Sequence, residues 1–170
     1  LSNYVLIVLE GDGAAAGTVD LVVSLNSLTT GTNGLLLLRD AASTILPAPA
    51  AGTTVVVGDF SPDIENGSNT YLLGIVNSGS PPTVGTDLDS DNDGVLNAGA
   101  LSNITVVDAV GIRENTVGIR VSYAAAFGGT DLGPYTGFNP EAIYRVIACN
   151  GAPIGWAGGS ISGTNPGCPY

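Results

Sequence analysis

Apolar residues come in short runs broken by Gly, Asn, Asp and Pro, and no stretch carries the three-to-four spacing of an amphipathic helix. Residues 4–9 are the longest run, aliphatic and rich in β-branched side chains, and too short for a helix; they predict a strand buried on both faces. Residues 18–25 alternate well enough for a second strand. Thr32-Asn33-Gly34 is a turn that launches a third at residues 35–38. Further strands are predicted at 53–57, 70–76, 104–112, 117–123 and 142–148, with an irregular Pro47/Pro49 loop at 41–54. Residues 11–17 read as a hairpin turn, since they lack the GxGxxG spacing of a nucleotide loop and no helix pattern follows. Short strands alternating with turns predict one all-β domain over residues 1–170, an antiparallel β-sandwich with long loops.

Composition narrows the chemistry. The chain has 170 residues, a net charge of −11 and a pI near 4.1, and its four basic residues are all arginine: Arg39, Arg113, Arg120 and Arg145. Such a surface repels phosphate backbones and anionic lipid, so nucleic acid and membrane surfaces are disfavoured and cations are the favoured partners. No run reaches membrane-spanning length. No signal peptide is visible, and the chain opens at Leu1, which predicts a processed form or a fragment. Without histidine or lysine there is no Ser-His-Asp or Cys-His site, no zinc-histidine site and no Schiff-base lysine. The glutamates at 10, 65, 114 and 141 are scattered and point to no shared cleft for glycoside chemistry. The expectation is a non-catalytic protein. Only 11% of residues are charged against 44% hydrophobic, so Ser, Thr, Asn and Gly must form much of the solvent face, as in secreted and surface-assembled β-proteins.

Residues 87–94 break this low-charge pattern, with Asp87, Asp89, Asp91 and Asp93 at every second position ahead of Gly94. At 6–7 Å spacing each neighbouring pair repels by about 0.7 kcal/mol in water and by more when partly buried. A hard dication removes that repulsion. Calcium loops place carboxylates at positions one, three and five, a glycine at six and a backbone carbonyl at seven. Counted from Asp89, these fall on Asp89, Asp91, Asp93, Gly94 and Val95, with Leu96 as an apolar anchor. Position twelve is Ala100 rather than glutamate, and the flanks are not helical, so this is a calcium-type loop outside an EF-hand. Asp87 supplies an extra carboxylate, and a distal ligand is expected from Asp108, Asp59, Asp63 or Asp12, with Asp108 preferred. Calcium is favoured over magnesium because many protein carboxylates suit a large, flexible shell.

Cys149 and Cys168 are the only cysteines, and a bridge between them would tie the C-terminal tail to the last strand, worth about 3 kcal/mol of chain entropy, in an oxidising compartment. Two buried free thiols are the alternative. Sequons at Asn66 and Asn103 are glycosylation positions in an organism that uses them. Trp156, within Gly155-Trp156-Ala157-Gly158-Gly159, reads as a cap on the core, with a sugar-stacking ring as its alternative and a glycan as the partner it would imply.

The order of motifs Val8-Leu9-Glu10-Gly11-Asp12-Gly13, Gly31-Thr32-Asn33-Gly34-Leu35-Leu36, Asn66-Gly67-Ser68 before Tyr71-Leu72-Leu73, the Asp87 to Gly94 loop, Val107-Asp108-Ala109-Val110-Gly111, Arg145, Trp156 and Pro166-Gly167 resembles the bacterial lamin-tail-like domains of secreted and surface proteins. The resemblance implies an immunoglobulin-like β-sandwich, usually not itself catalytic and often appended to secreted nucleases or phosphatases. Such domains carry an additional N-terminal strand that is missing ahead of Leu1. A neighbouring subunit could fill that gap by strand addition. The expected function is therefore that of an extracellular, calcium-stabilised structural or adhesive sandwich, a subunit of a cell-surface filament or matrix assembled by strand sharing. The alternative is an accessory binding module of a secreted hydrolase.

Overall fold

The computed structural model describes residues 1–43, 48–58, 60, 64, 66–136, 140 and 142–159. Its strands are β1 (Tyr4–Glu10), β2 (Val19–Ser24), β3 (Leu36–Asp40), β4 (Thr54–Gly58), β5 (Asn69–Val76), β6 (Ile104–Glu114), β7 (Thr130–Tyr135), β8 (Ala142–Ile147) and β9 (Pro153–Gly159). Helical structure among the described residues is limited to two short 3-10 turns, Gly13–Ala15 and Ala124–Phe127. The protein is all-β, as the alternation of short apolar runs and turns predicts.

A five-stranded sheet in the order β2-β1-β5-β6-β7 is the frame, and β3-β4 and β8-β9 form separate two-stranded sheets. The aliphatic run of β1 lies inside the larger sheet, antiparallel to β2 on one side and to β5 on the other. Val5, Ile7 and Leu9 on one face and Val8 on the other are all buried, so both faces of the strand are covered, which accounts for its unbroken apolar character. Val5, Ile7 and Leu9 point to one face and meet Val19, Leu72, Ala109 and Ile104 in the main core. That core is roofed by segments that are not strands: Leu88 of the acidic loop and Leu101 farther along the same β5–β6 connection, and Tyr123 and Ala124 from the connection between β6 and β7. On the second face, Leu21 and Val23 share a pocket with Leu38 of β3 and Val56 of β4, while Leu6 and Leu73 share another with Trp156 of β9.

Pairing is not antiparallel throughout. β3 runs parallel to β4, and β6 runs parallel to β7. Parallel neighbours need a long crossover, and here it consumes the stretch predicted as a strand at 117–123. Of that stretch, Arg120 bridges Asp12, Val121 N–H donates to Gly11 O at 2.9 Å, and Ile119 O accepts from Gly13 N–H at 3.0 Å. Its alternation therefore serves one short contact with the turn after β1. β7 and β9 escape a hydrophobic-pattern reading because each is interrupted by glycine or proline. β7 contains Gly133-Pro134, tolerated because the strand is at the sheet edge.

Candidate metal centre

The acidic loop is tied to the sheet before its carboxylates converge. Leu88 N–H donates to Gly17 O at 3.1 Å, Asp87 bridges Thr18, and Asn97 N–H returns to Leu88 O at 2.7 Å. Two left-handed residues, Asn92 (φ 55°) and Gly94 (φ 86°), turn the chain between these anchors. The result is a tight loop with its apolar base in the core and its carboxylates gathered above.

Asp89, Asp91 and Asp93 each bring a carboxylate oxygen within 4.8 Å of the others. Oxygens sharing one calcium at 2.3–2.6 Å lie at most about 5 Å apart, so the spacing suits a common ion. Asp89 is fully buried, whereas Asp91 and Asp93 are exposed. Asp89 Oδ2 accepts from Gly94 N–H at 2.9 Å and from the Tyr123 hydroxyl at 2.8 Å, and Oδ1 accepts from Asp93 N–H at 3.3 Å. Burial works to raise the Asp89 pKa, but the hydrogen bonds from Tyr123, Gly94, Asp91 and Asp93 outweigh it and hold the carboxyl below its ordinary value. Tyr123 shifts strongly upward, first through burial, then through its hydrogen bond to Asp89 and the charges of Asp89, Asp87 and Asp93. At neutral pH the pair is a neutral phenol donating to a buried carboxylate, a charge-assisted bond at the floor of an acidic cluster.

The other expected ligands fall elsewhere. Asp87 is not one of the three converging carboxylates; its Oδ1 accepts from Asp89 N–H at 2.9 Å and shapes the entry to the loop. Val95 follows the turn with its N–H on Asp93 Oδ1 at 2.8 Å. Asp108 is corrected as a distal ligand, because it lines the pocket on the second face and accepts from Arg145 Nη1, at 2.6 Å to Oδ1 and through Oδ2 as well. Arg145 in turn stacks over the Trp156 ring, 5.2 Å from its centroid. Asp12 is held by Ser68 N–H at 3.1 Å and by Arg120 at 3.4 Å. Asp59 and Asp63 lie outside the described residues.

Tyr123 was legible only as a packing residue, since its bond to Asp89 spans 34 positions. Gly17 was legible only as part of a turn. It sits at φ +83° with its α-carbon against Asp89, where an added Cβ would lie 2.8 Å from Asp89 N.

The remaining sequence-marked positions also find places. The Asn103 amide nitrogen donates to Ser78 O at 3.0 Å and to Ser80 O at 2.8 Å, tying the start of β6 to the turn after β5. Asn66 is exposed. Cys149 is exposed and unbridged, so no disulfide forms among the described residues, and Cys168 lies outside them. No described helix is long and apolar enough to cross a membrane.

Comparison with protein-family models, with curated proteins and with solved structures returned no match to this chain.

Proposed function

We propose that the chain is a non-catalytic, extracellular structural or adhesive protein whose acidic loop is ordered by calcium, and that it serves as a subunit of a surface filament or matrix. The observation that carries this reading is the placement of Asp89, Asp91 and Asp93 on the β5–β6 connection that roofs the main core with Leu88 and Leu101. An ion drawn to that cluster acts on the fold, because relieving carboxylate repulsion fastens the roof. Calcium suits the site better than magnesium, since three converging protein carboxylates suit a large, flexible oxygen shell, whereas magnesium keeps most of its water and uses one or two carboxylates. The proposed architecture is an immunoglobulin-like sandwich in which the two small sheets form the second layer.

The strand available for sharing between subunits is not β1, which is paired on both edges within its own chain. Assembly must use another surface. The alternative, an accessory binding module of a secreted hydrolase, draws support from Trp156 beside an open apolar pocket.

Thermal unfolding with calcium and with chelator tests the reading. At a hundredfold excess over the dissociation constant, a native-state ligand adds about 2.7 kcal/mol, or roughly 5–10 °C in Tm for a domain of this size. Asp91→Ala should remove that increment and leave the melt in chelator nearly unchanged, since Asp91 is exposed. Equal losses in both conditions would rule out a ligand role. Electron microscopy of the same samples separates the readings: filaments or sheets that loosen in chelator support the subunit, and dispersed monomers support the accessory module.

A further inference from the structure

The chain that leaves β6 and returns as β7 is fixed at two points. At the near one, Val121 N–H donates to Gly11 O at 2.9 Å and Arg120 pairs with Asp12. At the far one, Asn115 N–H donates to Tyr135 O at 2.9 Å, and the Tyr135 hydroxyl lies close to Gly158 of β9. Residues 122–132 span the interval. Of these only Tyr123 and Ala124 are buried, with Phe127 packed partly buried against the same core. The β7 portion is paired on one edge alone, parallel to residues 110–112 of β6. The segment is also tied to itself: Ala124 N–H donates to Asp131 Oδ1 at 3.1 Å, and Gly129 N–H to Ala124 O at 2.9 Å. The 3-10 turn and the start of β7 therefore move with Tyr123.

Tyr123 carries the hold of this segment on the frame. Its N–H donates to Thr70 Oγ1 of β5 at 2.8 Å, its ring enters the main core, and its hydroxyl donates to Asp89 at 2.8 Å. Once Asp89 moves, the hydroxyl is a buried donor without an acceptor, which costs more than the bond itself contributes. Asp89 is also the buried member of a cluster whose carboxylate oxygens lie within 4.8 Å of one another, so without a cation repulsion from Asp91 and Asp93 works to displace it.

We infer that residues 122–132 form a flap latched by Tyr123, and that the order of the acidic loop sets how often the flap opens. The part played by calcium rests on the reading of the loop as a calcium site; the latch itself rests on the Tyr123 contacts alone. Opening bares the β6 edge at residues 110–112, so the ion that orders the loop also keeps a strand edge covered.

Hydrogen exchange on the full chain, read peptide by peptide in calcium and in chelator, tests both parts. Tyr123→Phe keeps the ring and removes the hydroxyl; it should speed exchange at residues 122–132 by about ten- to a hundredfold and leave β1 unchanged. In the wild type, removing calcium should speed exchange in the same segment, and Tyr123→Phe should have lost most of that response. The wild type also tests the flap without any substitution, since urea below the unfolding transition should release 122–132 before β1. Exchange in Tyr123→Phe that equals the wild type at 122–132, or rises only in step with β1, would overturn the latch, as would simultaneous release of flap and β1 in urea. A latch that behaves as expected while every wild-type peptide exchanges alike in calcium and chelator would overturn the calcium reading and leave the latch standing. Slowing by calcium confined to residues 87–97 would keep the ion site and overturn its control of the flap.

Discussion

Tyr123 and Asp89 bond across 34 positions, and that bond couples the acidic loop to the β6–β7 crossover. Tyr123→Phe removes a donor to a buried carboxylate and should cost about 1.5–3 kcal/mol in chemical denaturation. The two groups also set pH limits of opposite sign. Asp89 has a folded pKa below its ordinary 3.8, so its contribution is complete above that value and disappears as pH falls through the lower folded value. Tyr123 has a folded pKa above its ordinary 10.0, so its contribution is complete below 10.0 and is lost as pH rises toward the higher folded value. Stability measured against pH should therefore be flat between about 4 and 10 where this pair is concerned. The Phe variant should show a shallower alkaline limb. An unchanged limb would mean that other tyrosines dominate it.

At the scale of elements, strands with uninterrupted aliphatic or alternating patterns were legible: β1, β2, β5 and β6 follow directly from runs such as Tyr4 to Leu9, because burial demands those side chains whatever the partner strand. Pairing direction was not. The parallel pairs β3-β4 and β6-β7 depend on where a crossover can travel, a property of distant segments rather than of local alternation. The acidic loop was legible in its first half, since Asp89, Asp91, Asp93 and Gly94 hold the spacing within seven residues. Its distal support was not, because Tyr123 looks like any core aromatic and Asp108 is claimed by Arg145. Gly17 shows how tightly loop and sheet are fitted. Gly17→Ala would place a methyl against Asp89 at a left-handed φ and should destabilise by about 1–3 kcal/mol, with weaker calcium binding because Asp89 is displaced. A variant with normal affinity would show that the loop can shift away without losing its geometry.

For the whole molecule, charge and apolar surface pull in opposite directions. A chain at −11 resists self-association, and the calcium we propose would lower that charge while fixing the loop, so assembly and loop order should respond to the same ion. Among the described residues the small sheets β3-β4 and β8-β9 share no backbone ladder with the frame. Within it, β1 is gripped along its length, by seven register pairs with β5 and five with β2. Tension drawn along that strand loads both ladders in shear, so their hydrogen bonds fail together instead of unzipping singly. Stretched one molecule at a time from a handle at the β1 end, the chain should yield in one high-force rupture, the behaviour of a mechanical clamp; a series of small steps would show that the ladders part strand by strand.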